Sequence, residues 1–254
     1  MDKRIKTKEI RKAKEILTYF EKWDINEELK VYLKFHYRRY EFLLKKVDGI
    51  ISKIRRTSDN ELLKILDIGP SFQTEILRQT LSKVIIDTLG IEEERSKSHF
   101  QYKHFCFDLN DCQYQKKWPK IGKYNLIIMA ELIEHLYTSP NLVLVCIKTW
   151  LKKDGYLVIQ TPNAISLGKR IKMLIGQHPY EMIRESRINP GHFREYTIKE
   201  LLVIGEKLGF ILVSCDLCNY FSGPSGIKRF IYNILGRILP KQFRDGITIC
   251  FQKA

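Results

Sequence analysis

Four side chains have the types and spacing to hold a metal or move a proton. Glu131, Glu134 and His135 are followed further along the chain by His192. Spacings of i, i+3 and i+4 place the first three on one face if the segment is helical. Two carboxylates and two imidazoles suit a hard or borderline divalent cation such as Mg, Mn or Zn. Without a metal, His135 and His192 are candidate general bases for a hydroxyl proton. A plainer role is also open to them. Glu134 and His135 could shape a pocket, and His192 could cap a helix starting near Thr197.

A second group is made of acids at strand ends. Leu63–Gly69 reads as a short buried strand ending in Asp67 and Gly69, with Pro70 and Ser71 behind. Gly69 would let the backbone approach a ligand with no Cβ in the way. The next two strand-like segments stop at Asp87 and Asp108. One such acid could simply cap a helix. Three in succession point to a nucleotide-sized ligand at the carboxyl edge of an open sheet.

The elements that must position these groups follow from hydrophobic periodicity. Residues 1–58 read as helices, with Leu29, Leu33, Tyr37, Tyr40, Leu44, Val47 and Ile51 on one stripe. A polar break at Arg55–Asn60 separates a helical extension, 1–60, from a main domain, 61–254. Strands are expected near 64–68, 83–86, 104–107, 124–129, 156–160, 210–215 and 247–251. Helices are expected between them, one starting directly at Glu131. Strands alternating with helices imply an α/β fold with a largely parallel sheet covered on both faces.

The chain has 254 residues and a formal net charge of +15. Residues 1–60 carry 17 basic and 10 acidic side chains, 164–190 carry five and two, and 222–254 carry six and one. The remainder is neutral, so the core is uncharged overall and the additions around it are basic. Such a distribution suits an anionic partner at the periphery, or a solvated lysine-rich surface. The basic insertions, about 164–190 and 222–245, each contain an amphipathic stretch, Ser166–Ile175 and 226–239. Either stretch could cover a pocket, pack on the sheet, or lie on a membrane surface. No apolar run reaches the roughly 18 residues of a membrane span. The charged start has no apolar segment behind it, so a cytoplasmic location is expected, with peripheral membrane contact as an addition. The six cysteines are then reduced thiols, and Cys215 and Cys218 form a lone pair without metal-site partners.

Five segments taken in order carry a resemblance. They are Ile65–Ser71, Val84–Asp87, Phe107–Asn110, Tyr124–Leu136 and Leu151–Asn163. Together they resemble the class I S-adenosylmethionine-dependent methyltransferases, near the ubiquinone-biosynthesis O-methyltransferases and the methyltransferase type 11 and 23 groups. The resemblance implies a Rossmann-like, seven-stranded, mostly parallel sheet with the last strand antiparallel. It also implies S-adenosylmethionine as cofactor. Asp67, Gly69 and Ser71 would then sit at the methionine end and Asp87 at the ribose. Asp108 and Leu109 would meet the adenine, and Met129 would line the sulfonium side. Where the family carries further glycines, this chain has Ser71 and Gln73, so its cofactor loop is atypical. The Glu131, Glu134, His135 and His192 set is similar to that of small-RNA 3′-end 2′-O-methyltransferases, where such a set holds a metal.

Three functions compete. The first is O-methylation of a small molecule or glycan, lipid-linked in one version. The second is RNA 2′-O-methylation with a divalent metal, favoured by the charge but without a recognisable RNA-binding motif. The third is a non-catalytic binding protein on the same fold.

Overall fold

The computed structural model describes residues 13–23, 25–57, 62–91, 102–186, 190–220 and 239–254. Two helices, α1 (Ala13–Phe20) and α2 (Glu27–Thr57), come first. Then follow β1 (Leu63–Ile68), α3 (Phe72–Thr80), β2 (Val84–Gly90), β3 (His104–Cys106) and β4 (Tyr124–Ala130). The chain continues through α4 (Pro140–Trp150), β5 (Leu151–Pro162), α5 (Leu167–Leu174), α6 (Ile198–Lys207), β6 (Phe210–Cys218) and β7 (Gly246–Lys253).

The strands form one seven-stranded sheet in the order β3-β2-β1-β4-β5-β7-β6. β1 to β5 run parallel, and β7 runs antiparallel between β5 and β6. The strand order turns back between β1 and β4. A crevice opens at the carboxyl edge at such a point, and ligands of open α/β sheets bind there. The expected fold class therefore holds.

Two boundaries differ from expectation, and both bear on the site. β2 continues past Asp87 to Gly90, because Thr88 and Leu89 stay paired with Asp67 and Ile68 of β1. No α-helix starts at Glu131, whose φ of 52° lies in the left-handed region. Only a single 3-10 turn, Ile133–His135, follows, and α4 begins at Pro140.

Each face of the sheet carries a core. On one side Val143, Leu144, Ile147 and Trp150 of α4 pack with Ile127, Met129, Leu157 and Ile249. On the other, α2 contributes Leu33, Leu43, Leu44, Val47 and Ile51, which join Leu63, Ile65, Ile76, Leu126 and Val158. Residues on either side of the boundary expected near residue 60 thus share one core. The stripe on α2 is shifted slightly from the expected one, with Leu29 exposed and His36, Arg39 and Leu43 buried. The basic segment 226–239 lies outside the described residues except for its last position. All six cysteines are free, and burial raises the thiols of Cys215 and Cys218 on β6, which suits packing better than redox chemistry.

Candidate active site

The turn after β1 is built to bring backbone close to a ligand. Gly69 has φ 75° and ties β1 to β2 through its N–H to the Leu89 carbonyl at 2.9 Å. Ser71 caps α3 in a reciprocal box: its Oγ accepts from the Gln73 N–H, and its own N–H donates to Thr74 Oγ1 at 3.0 Å. A serine in a glycine position is thereby explained as a helix cap.

Gln73, in the other glycine position, does not line the cavity described below. Its side chain turns inward, 1% exposed, and donates to Asp67 Oδ1 at 3.1 Å. Thr74 donates to Asp67 Oδ2 at 2.6 Å. Asp67 is fully buried behind these two partners and does not line the cavity described below. Burial pushes its carboxyl up to about 7, with the Thr74 and Gln73 hydrogen bonds opposing.

This shift has a consequence for stability. The unfolded pKa is about 3.9, so the contribution of Asp67 is fully present below pH ~4 and is lost as pH rises through 7. Asp67→Asn removes the titration. Relative to the parent, the variant gains on the order of 3 kcal/mol between pH 4.5 and 7.5, by urea unfolding at both pH values. Parallel pH profiles of the two proteins would contradict it.

Gln73 also leads to a residue that sequence reasoning missed. Its Oε1 accepts from Arg39 Nη1 of α2 at 3.1 Å. Arg39 also donates to Gln160 Oε1 at 3.2 Å and to His36 Nδ1 at 3.3 Å, and its guanidinium lies 4.6 Å over the Tyr40 ring. It is 1% exposed and lines the cavity, and among the described residues no carboxylate comes within ion-pair distance of it. Burial works against its charge, and the combined fields of Glu131, Tyr40, Tyr32 and Glu134 outweigh that. A buried cation without a paired anion is costly, and the cost falls when an anionic ligand arrives.

The three strand-end acids separate. Asp108 caps the 3-10 turn Leu109–Gln113 through the Asn110 N–H at 2.9 Å, and Asp108, Leu109 and Asn110 all line the cavity. Asp87 does not reach it. Because β2 runs three residues further, the Asp87 carboxylate lies within the sheet, accepting from Tyr124 OH at 2.9 Å and the Lys103 N–H at 3.0 Å. Leu89, Gly90 and Ile91 take the edge instead, and the glutamates at 92–94 lie outside the described residues. Met129 is likewise in the core, fully buried, and Ala130 and Glu131 line the cavity in its place.

The Glu/His set forms without the expected helix. One ligand atom each of Glu134, His135 and His192 lie within 4.8 Å of one another. The loop carrying His192 is pinned to the 3-10 turn by the Phe193 N–H donating to the Glu134 carbonyl at 2.8 Å. Glu134 Oε2 accepts from Thr161 at 2.8 Å, and its Oε1 is buried with no partner. His135 Nδ1 lies 2.8 Å from the Gly191 carbonyl, so this nitrogen carries the proton and Nε2 keeps its lone pair. His192 Nδ1 lies 2.9 Å from Glu195 Oε1, which fixes the same tautomer, and Glu195 is also bonded to Lys169. The imidazole rings meet edge to face at 4.8 Å. Burial holds both imidazoles below their usual pKa and raises the Glu134 carboxyl to about 7.

Glu131 stands apart from this set. It lies in the field of Arg39, and its Oε1 is also buried without a partner. Burial, then the charge of Glu134, drive its carboxyl well above the ordinary range, with Arg39 opposing. Two buried carboxylate oxygens without partners are unusual, since buried polar groups are almost always satisfied.

Arg39, Gly69, Asp108, Leu109, Glu131 and His135 border one cavity of about 1450 Å³. Small-molecule sites run roughly 300–1,000 Å³, so there is room for two ligands. Its walls come from α1 and α2 (Phe20, Tyr32, Arg39), the β1 and β4 turns (Gly69, Glu131, His135), and the strap segments 183–186 and 190–193 (Ile183, Phe193).

The chain matches a family model described as a methyltransferase domain over residues 35–215. No curated protein matches it in sequence. Among solved structures it is similar to an S-adenosylmethionine-dependent methyltransferase from Archaeoglobus fulgidus, at 20% identity and a TM-score of 0.50, over 83% of this chain and 94% of that one. It is also similar to the plantazolicin methyltransferase BamL, solved with a triazolic desmethylplantazolicin analogue and S-adenosylhomocysteine. There the identity is 14% and the TM-score 0.53, over 96% of this chain and 97% of that one.

Proposed function

The chain belongs to the methyltransferase-domain family of S-adenosylmethionine-dependent enzymes, and from that premise we propose that it methylates a hydroxyl oxygen of a small-molecule or glycan acceptor. The observation that carries this reading is the Glu134, His135 and His192 cluster beside the cavity that Gly69 opens.

The residues present fit the cofactor. Arg39 offers a buried cation to its carboxylate, and the orphaned Glu131 oxygen offers an acceptor to its ammonium. Asp108 and Leu109 border the cavity along the wall expected to meet adenine. Asp67 acts at one remove, holding Gln73 and Thr74 so that the Gly69 turn keeps its shape.

When bound, the sulfonium supplies an already activated methyl group. The protein must then orient an acceptor oxygen in line, exclude water, and take a proton. His135 is placed for the last task. Its Nδ1–H is held by the Gly191 carbonyl, its Nε2 carries the lone pair, and it borders the cavity. Its depressed pKa keeps it neutral near pH 7 and able to accept. His192 stands against it, held by Glu195.

The same three donors would accept a divalent cation. Glu134, His135 and His192 would offer one carboxylate and two imidazoles, with Thr161, Gly191 and Glu195 holding their other atoms. That mixture favours Zn or Mn over Mg. A cation there would hold the acceptor oxygen and lower its pKa.

RNA remains a second acceptor class, favoured by the +15 charge. One experiment separates the classes: incubation with methyl-labelled cofactor and a fractionated cell extract. Label is expected in an alkali-stable, nuclease-resistant product, as a methyl ether on a small molecule or glycan would be. Alkali-labile label would indicate an ester, and nuclease-released label would indicate RNA. Either would overturn the reading.

A further inference from the structure

Helix α5 is amphipathic yet buries none of its residues. Its apolar side chains and those just beyond it point into solvent: Ile171, Met173, Ile175 and Ile183 are about half exposed or more, Leu174 is 85% exposed and Met182 is 88% exposed. Leaving that much aliphatic surface in water is unfavourable, and contiguous patches of this kind mark contact sites. Cations flank it. Lys172 lies on the helix, and Arg170 stacks 4.7 Å over Phe243 in the turn Lys241–Phe243, which brings exposed Lys241 alongside.

Three features select the occupant. The apolar tips are leucine, isoleucine and methionine, with no aromatic among those named, so they suit acyl chains better than stacked bases. The charges beside α5, Lys172 and Lys241, are positive, which suits anionic headgroups, while the carboxylate of Glu181 next to Met182 is paired with Arg184. The strap is continuous with the cavity wall: Met182 points outward, and its neighbours Ile183, Arg184, Glu185 and Ser186 line the cavity.

We propose that residues 167–184 form a docking arm that seats the cavity mouth on an anionic lipid surface. The inference deepens the acceptor reading above and rests on it for the identity of the cavity: the acceptor hydroxyl would belong to a lipid-linked molecule presented at the bilayer. The docking itself needs no cofactor, so the two can fail separately.

The test is co-sedimentation of the full chain with phosphatidylcholine vesicles, with and without one-third phosphatidylglycerol. The wild type is expected to sediment with the anionic vesicles, less at high salt and less with phosphatidylcholine alone. The double variant Leu174→Glu/Ile175→Glu should weaken partitioning by about tenfold or more, and Lys172→Glu by several-fold. S-adenosylhomocysteine affinity, titrated on the same samples, should not change, and this also shows that the variants are folded. No vesicle binding by the wild type would overturn the proposal. So would equal binding by the double variant. Conversion of a dimer to a monomer by the same substitutions would assign the patch to a second copy and would overturn it as well.

Discussion

Arg39→Met lowers affinity for S-adenosylhomocysteine about 100-fold, while affinity for 5′-methylthioadenosine, which lacks the amino-acid end, stays within about twofold. The magnitude follows from burial. Arg39 is 1% exposed, has no paired carboxylate among the described residues, and is held in position by His36, Gln73 and Gln160. Losing a pre-oriented, desolvated charge against a ligand carboxylate costs about 2–5 kcal/mol. Methionine keeps most of the volume, so the fold should survive, as a thermal melt would show. Arg39→Lys should recover part of the loss, since it restores charge without the planar fork. Calorimetric titration of both ligands checks the prediction. Equal losses for both would place Arg39 in a structural role.

His135→Ala lowers turnover by roughly 10²–10⁴ and leaves the cofactor Kd within about twofold. His192→Ala should behave similarly if the three donors act as one metal site, and bound metal measured on the purified protein should fall with it. Without a metal, His192→Ala should cost far less, because only His135 borders the cavity. A His135→Ala enzyme with normal turnover would show that the acceptor proton leaves by another route.

Much of this architecture was legible in the chain. Continuous apolar runs marked the central strands, and the alternation with helices marked the sheet. β2 was misjudged because Asp87 reads as a strand-ending acid. In the structure a buried tyrosine hydroxyl satisfies it, so the strand can pass through. Met129 was misplaced by one residue: at a strand end, a shift of one moves a side chain from cavity to core. The spacing of Glu131, Glu134 and His135 suggested a helix that does not form. Left-handed backbone at Glu131 instead breaks the segment there and leaves that residue out of the group that Glu134 and His135 form with His192. Three of the four residues therefore come together, through a local geometry other than the expected helix.

Arg39 was missed because it sits among many basic residues in a basic helix. A signal was present nonetheless. Arg39 lies three residues after His36 and four before Leu43, within the buried stripe of α2. A cation in register with an apolar stripe is expected only where something compensates it. The sequence shows Gln73 only as atypical of a glycine position, because a side chain's direction cannot be inferred from a loop pattern. Its inward turn depends on Asp67 of β1 and on Arg39 of α2, which meet it only once the helix packs on the sheet.

The most direct test of the central claim is a crystal structure of the protein with S-adenosylhomocysteine. The expected density fills the cavity, with the ligand carboxylate on Arg39, its amino group at Glu131, its adenine by Asp108 and Leu109, and its sulfur facing His135. A ligand seated elsewhere, or one in this cavity with Arg39 and Glu131 untouched, would contradict the assignment of the site.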